Sequence, residues 1–265
     1  MTSGTGKRLL GHGLLLARLD TILLKDATIV VMFHRVQKTD GSDALTVDVA
    51  TFERYCRFFR RHFQVAPLRD VVRALERRTP LNRALAITFD DGYRDNFDHA
   101  APVLEKLSLP ATFFVVTQWI GTDVVPWWDA QRGARYPWMT WNQVRSLHQR
   151  GFEVGAHTRT HVDLGQVDAP QAQEEILGAR LELETQLAAP VESFAYPYGR
   201  PHHLTDANRE RVRAAGFRCC CSGFGGVNHA GTDPFHLRRV PISLWYASPH
   251  QFAFDVALGR SVLSA

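Results

Sequence analysis

The sequence predicts an α/β fold built on a parallel sheet and organised as a single domain. Two observations carry this. Short, continuously apolar runs of strand length recur along the whole chain, and helical patterns separate one from the next. No break in composition marks a second domain, and no repeat or low-complexity tract interrupts the alternation.

The runs span residues 28–33, 85–89, 111–116, 152–156, 193–196, 217–221 and 237–242. Continuous rather than alternating apolarity suits strands buried on both faces. Between the first two, Phe52, Tyr55, Phe59 and Phe63 form a helical stripe. Thr140 and Gln143 form a capping box before Val144 and Leu147, with Gly151 at the C-terminal stop. Asp168 and Gln171 open another helix, striped by Ile176, Ala179, Leu183 and Leu187; Thr205 opens one that stops at Gly216. The alternation fits either an open sheet or a closed barrel. An open nucleotide-binding sheet wants a Gly-rich turn after its first strand, where this chain has His34-Arg35-Val36. Gly4-Thr5-Gly6-Lys7 lacks the earlier Gly and the preceding strand of a phosphate loop, and Gly223-Phe224-Gly225-Gly226 reads as a turn.

Among 265 residues, 45% are hydrophobic and 22% charged, which excludes a disordered or fibrous chain. The net charge of +4 comes without a Lys/Arg-rich run, so nucleic acid is not an expected partner. Cys219, Cys220 and Cys221 are consecutive and Cys56 is alone, which fits a buried strand in a reducing compartment rather than a disulfide framework or a Cys-x-x-Cys metal site. No stretch approaches the ~18 apolar residues of a membrane span. Lys7 and Arg8 precede Leu9, Leu10, Leu14, Leu15 and Leu16, but Gly11, His12 and Gly13 interrupt the run and no small-x-small cleavage pattern follows. Residues 1–27 therefore read as an N-terminal helical extension that caps the domain and offers peripheral contact to a membrane, on a cytoplasmic protein.

The chemistry concentrates where apolar runs end. Ile87-Thr88-Phe89 runs into Asp90-Asp91-Gly92, two adjacent carboxylates at the C-terminal end of a strand, where parallel barrels keep their sites. Residues 152–156 run into His157 and His161, whose spacing lets one helical turn bring both imidazoles to one ion. An Asp with two His leaves an open position for water, as catalytic zinc requires. The strand ending at Ala195-Tyr196 enters Pro197-Tyr198-Gly199, a tight turn able to aim a backbone N–H at an oxyanion. His34 follows the first strand, so it is expected at the same end as Asp90 and His157. A histidine there can serve as a general acid, and a nearby carboxylate is expected to raise its pKa.

Thr88-Phe89-Asp90-Asp91-Gly92, His157-Thr-x-x-His161 and Pro197-Tyr198-Gly199 resemble, in order, the first three motifs of the polysaccharide deacetylase (NodB homology) superfamily. The early Met32-Phe33-His34-Arg35-Val36 resembles biofilm-type poly-N-acetylglucosamine deacetylases, whose motif order is permuted. The resemblance covers residues 28–245 and places the family's domain at 28–265. It implies a distorted (β/α) barrel of about seven strands and metal-dependent removal of acetyl groups from sugars. It makes Asp90 the general base, Asp91, His157 and His161 the metal ligands, the Tyr198 N–H an oxyanion donor and His34 the acid. Zinc is the metal expected for this N/O set, and a carbohydrate the partner. Many members carry an Arg where Ala195 stands; Arg238 or Arg239 is the substitute to look for. A late Leu-x-His motif, the acid of many members, is missing after His161.

Trp119, Trp127, Trp128, Trp138 and Trp141 fall between the first two motifs; they either wall a sugar subsite or pack under a loop. Trp127, Trp128 and Arg239 are the substrate-binding candidates. The reading is a metal-dependent carbohydrate deacetylase acting on N-acetylated sugars of a glycan or its precursor. Its rivals are a C–N hydrolase of small cyclic amides, which needs an enclosed site, and a non-catalytic glycan-binding domain, which needs a broken ligand set.

Overall fold

The computed structural model describes residues 4–39, 43–243, 246 and 248–259. Seven parallel strands close into a barrel: β1 (Ala27–Phe33), β2 (Ala84–Phe89), β3 (Thr112–Val115), β4 (Glu153–Ala156), β5 (Ser193–Ala195), β6 (Cys219–Gly225) and β7 (Leu237–Pro241). β1 closes it. It pairs with β2 from Thr28/Ala84 to Phe33/Phe89 on one side and with β7 at Val31/Val240 on the other. Short strands flank the barrel. Gln64–Val65 runs parallel to β2, and Asn228–His229 antiparallel to β1. Arg35–Gln37 and Thr46–Asp48 form a separate pair above β1.

The continuous apolarity of the strands has a direct cause. Val30, Ala86, Phe114, Ala195, Cys219, Cys221 and Leu237 fill an inner layer, and the helix Leu68–Glu76 adds Leu68, Val71, Val72 and Leu75 to it. The alternate positions Ile29, Val31, Phe33, Ile87, Phe89 and Phe113 pack outward under the surrounding helices. Each fully buried aliphatic or Phe side chain contributes roughly 1.5–3 kcal/mol of transfer free energy. All four cysteines are free and buried.

The caps form as the sequence requires. Thr140 and Gln143 complete both arms of the capping box, Asp168 accepts from the Gln171 N–H, and Gly151 and Gly216 hold φ of +89° and +88°. The expected turn at Gly223–Gly226 is different: Gly223, Phe224 and Gly225 extend β6. Gly223 is required there because a Cβ would lie 2.8 Å from the Tyr198 carbonyl oxygen. The helix Gly4–Leu16 packs on Pro249–Ala257, with Lys7 paired to the buried Asp255 at 3.0 Å. Gly11 permits that contact, since a Cβ there would meet the His250 carbonyl oxygen at 1.9 Å.

Candidate metal and catalytic site

Asp90 and Asp91 leave β2 in different directions because the backbone turns between them. The Asp90 N–H donates to the Phe33 carbonyl at 3.0 Å, prolonging the β1–β2 ladder. Asp91 then takes φ +75° while the Gly92 N–H closes onto the Asp90 carbonyl at 3.0 Å, a three-residue turn that bulky residues rarely occupy. A second such turn ends β5: Tyr198 has φ +60° and the Gly199 N–H donates to Pro197 at 2.6 Å.

The His157 N–H continues the β3–β4 ladder by donating to the Val115 carbonyl at 3.0 Å. Its Nδ1 lies 2.8 Å from the Ala195 carbonyl, which fixes the proton on Nδ1 and frees Nε2 as a lone-pair donor. Asp91 Oδ1 lies 3.4 Å from His157 Nε2 and 3.3 Å from His161 Nε2. One ligand atom from each of the three buried residues lies within 4.8 Å of the others. The helical turn expected between the histidines does not form. Thr158 and His161 take φ of +64° and +60°, and the Glu175 carboxylate accepts from the Arg159 and Thr160 N–H groups at 2.8 and 2.9 Å. A loop pinned by a buried carboxylate, not helix periodicity, brings the two rings to 5.0 Å.

Asp90 belongs to Arg239. Arg239 Nη1 and Nη2 each reach one Asp90 oxygen at 2.7 Å, Nη1 also meets Thr88 Oγ1 at 3.2 Å, and Nε donates to the Ser222 carbonyl. Both partners are buried. Arg239, expected to bind substrate, lines the cavity with both Nη atoms engaged on the Asp90 carboxylate, a two-point grip that orients Asp90. It also answers the departure at Ala195: the guanidinium beside Asp90 comes from β7. Arg238 is exposed and donates its N–H to Asn228.

Electrostatics separates the roles. Burial opposes charge on Asp90, but Arg239 and His157 outweigh it and hold its pKa below the ordinary value. Burial likewise opposes charge on Asp91, yet His157 and His161 carry its pKa well down. His157 is disfavoured as a cation by burial but raised on balance by Asp90 and Asp91. Burial lowers His161 despite its contact with Asp91. The same holds for His34, where desolvation exceeds the pull of Asp91 and Asp90 and lowers the pKa instead of raising it as the sequence suggested.

His34, Asp90, Asp91, His157, His161 and Tyr198 line one cavity of about 250 Å³. The Tyr198 backbone N–H donates to no group among the described residues. Trp127 and Trp128 stand at the rim. Trp127 is 57% exposed, with its indole N–H 3.4 Å from the Tyr198 hydroxyl; Trp128 lies 5.0 Å from the His161 ring. Trp119 and Trp138 instead pack in a buried cluster with Tyr93, and Trp141 packs on the main core. A buried charge cluster holds the rim. Arg35 is fully buried and binds Asp129 at 2.6 Å, Asp43 at 2.8 Å and Thr46 at 2.9 Å, with Tyr136 4.0 Å beneath its guanidinium. Its position directly after His34, and Asp129 directly after the Trp pair, were the available signals.

Residues 77–220 match the family model described as polysaccharide deacetylase. The chain belongs to the polysaccharide deacetylase family. It is 24% identical to YxkH of Bacillus subtilis (strain 168) over 219 residues, 81% of this chain and 71% of that one. It is 26% identical to the poly-beta-1,6-N-acetyl-D-glucosamine N-deacetylase of Escherichia coli (strain K12) over 138 residues, 49% of this chain but 20% of that enzyme. Among solved structures, IcaB from Ammonifex degensii aligns with a TM-score of 0.72 at 24% identity, covering 88% of this chain and 97% of that one. A likeness at that identity is one of fold, and it is the seven-stranded barrel described above.

For a polysaccharide deacetylase, the Asp91–His157–His161 set fits a divalent metal on its own chemistry. Asp91 Oδ1 is buried without a hydrogen-bond partner. A bare carboxylate oxygen pointing at two imidazole Nε2 atoms is costly unless a cation takes the lone pairs. His157 has the carbonyl partner on its far nitrogen that metal-ligating histidines use.

Proposed function

We propose that this polysaccharide deacetylase hydrolyses acetyl groups from N-acetylated sugars of a glycan or glycan precursor, using a divalent metal, with zinc the best match to two imidazoles and a carboxylate. The observation that carries the reading is the juxtaposition of the Asp91–His157–His161 set with Asp90 in one cavity. The ion held by that set supplies Lewis-acid polarisation of the acetyl carbonyl and a more acidic water.

The chain's own groups do the rest. Asp90, kept ionised and oriented by Arg239, takes the proton of the attacking water. The free Tyr198 N–H donates to the oxygen that becomes anionic. His34, desolvated and therefore a stronger acid when protonated, delivers a proton to the departing sugar amine. The exposed Trp127 face offers a stacking surface for a pyranose ring at an open rim, which favours a glycan over a small enclosed amide. The complete ligand set favours an enzyme over a binding module. The relative that acts on poly-beta-1,6-N-acetyl-D-glucosamine supports an N-acetylated substrate class.

The test is acetate release from a panel of N-acetylated oligosaccharides, followed by mass spectrometry, with metal-loaded and chelator-treated protein. The expected result is deacetylated product only with metal. Absence of product from every member of the panel with metal restored would overturn the reading.

A further inference from the structure

The N-terminal segment carries an apolar surface that the deacetylase chemistry does not use. Six of the eleven exposed large hydrophobic side chains among the described residues lie between positions 9 and 23: Leu9, Leu10, Leu16, Leu19, Ile22 and Leu23. Leu9, Leu16 and Ile22 are each at least 70% exposed. Leu9 and Leu16 are seven residues apart on the helix Gly4–Leu16, hence on one face, while Leu14 and Gly11 face the body of the protein. Single exposed leucines are ordinary; a concentration on one segment marks an interaction surface.

Beside this segment lies a cationic groove. A cavity of about 640 Å³ is lined by Arg8, His12, Arg54, Arg57, Arg61 and His250, among others. Arg57 is paired with Glu53 at 2.6 Å. Arg8, Arg54 and Arg61 form no ion pair among the described residues, and all three are exposed. Exposed leucines beside unpaired arginines are the composition of an interfacial helix that meets anionic lipid.

The topology fixes which end of the barrel this is. Asp20 binds Arg83 at 2.6 Å, and the Asp26 N–H reaches Asn82 at 3.4 Å. Arg83 immediately precedes β2 and Asp26 immediately precedes β1. The segment is therefore tied to the N-terminal ends of the strands, and Asp90 and His157 sit at their C-terminal ends.

We propose that this face docks on an anionic bilayer surface, with Leu9, Leu16 and Ile22 in the acyl boundary and lipid phosphates at Arg8, Arg54 and Arg61. Charge selects the occupant. A second copy would bring two cationic grooves together, which is repulsive, whereas phosphate headgroups neutralise them. Docked this way, the catalytic cavity opens at the far end of the barrel, away from the bilayer.

The experiment is co-sedimentation of the full chain with vesicles of phosphatidylcholine alone or mixed with phosphatidylglycerol. Binding at least ~10-fold tighter to the anionic vesicles, lost in high salt, is expected. The triple variant Leu9→Gln, Leu16→Gln, Ile22→Gln and, separately, the pair Arg8→Gln, Arg61→Gln should each weaken it at least ~5-fold, while Leu181→Gln, an exposed leucine elsewhere, should not. Thermal melts establish that each variant is folded; the arginine pair, being exposed and outside any ion pair among the described residues, decides the matter if the leucine variant is not. No binding to anionic vesicles, equal binding to both compositions, or unchanged binding by the folded variants would overturn the proposal. So would a dimer in sedimentation velocity that the leucine variant abolishes.

Discussion

Arg239 and Asp90 are 149 residues apart in sequence and share two parallel hydrogen bonds of 2.7 Å at the barrel mouth. The fork satisfies both carboxylate oxygens at once and holds Asp90 ionised against the opposing effect of burial. Removing one partner leaves a buried charge alone. Arg239→Ala should therefore cost about 3–5 kcal/mol of stability, read as a lower midpoint in denaturant unfolding. Arg239→Lys should recover much of the stability but not the two-point grip, so kcat should fall with KM little changed. Asp90→Asn should retain bound metal and lose at least ~100-fold in rate. Near-normal turnover in Asp90→Asn would remove the base from the account.

His34 lines the cavity at the end of β1, held from behind by the Asn96 side-chain amide, which donates to the His34 carbonyl at 2.7 Å. An amide nitrogen leaves poorly as an anion, whereas a phenolate leaves unaided. His34→Ala should lose most cleavage of an N-acetyl sugar and much less of an activated acetate ester, with metal content unchanged. Equal losses on the two substrates would show that His34 does not deliver the proton.

Strands were legible because burial on both faces leaves an unbroken apolar run, and caps were legible because Thr140, Asp168 and Thr205 act locally. The end of β6 was not, because Gly223 reads as a turn residue while its role is to let the Pro197–Gly199 turn sit against the strand. The residues of the Asp91–His157–His161 cluster stood out at strand ends. The means of bringing the histidines together did not, because it combines left-handed φ at Thr158 and His161 with a distant carboxylate, Glu175, that accepts from the Arg159 and Thr160 N–H groups between them, contacts no spacing rule contains. The partner of Asp90 was narrowed to two adjacent arginines. Strand alternation separates them, with Arg239 buried toward the carboxylate and Arg238 in solvent.

Trp127 offers its face at the rim while Arg35 and Asp129 hold the segment that carries it. Trp127→Ala should raise KM for an oligosaccharide several-fold and leave kcat and stability nearly unchanged. Asp129→Ala should lower stability as well, because Arg35 loses its closest buried carboxylate. Steady-state kinetics on a chitooligosaccharide-type substrate separates the two. Loss of kcat in Trp127→Ala would move it from the rim to the chemistry.

Asp43 and Asp48 hold the segment between β1 and the helix Val49–His62. Burial raises both pKa values, but the Leu45 N–H and Arg35 at Asp43, and Thr51 at Asp48, bring them below the ordinary 3.8. A depressed carboxylate pKa contributes stability that is present above the unfolded value and lost as pH falls through the folded one. Their stabilisation should therefore be constant above about pH 5 and decline below about pH 4. Asp48→Asn, which keeps a capping oxygen, should flatten that decline. A variant whose acid limb matches the wild type would exclude Asp48 from it.

The convergence of Asp91, His157 and His161 on one ion is the point on which the account turns. Isothermal titration of the metal-free protein with zinc, run beside Asp91→Ala, His157→Ala and His161→Ala, tests it most directly. The account predicts one ion per chain in the wild type and affinity at least ~10-fold weaker in each variant, with folding retained by circular dichroism. Undiminished affinity in all three variants, or no binding by the wild type, would contradict it.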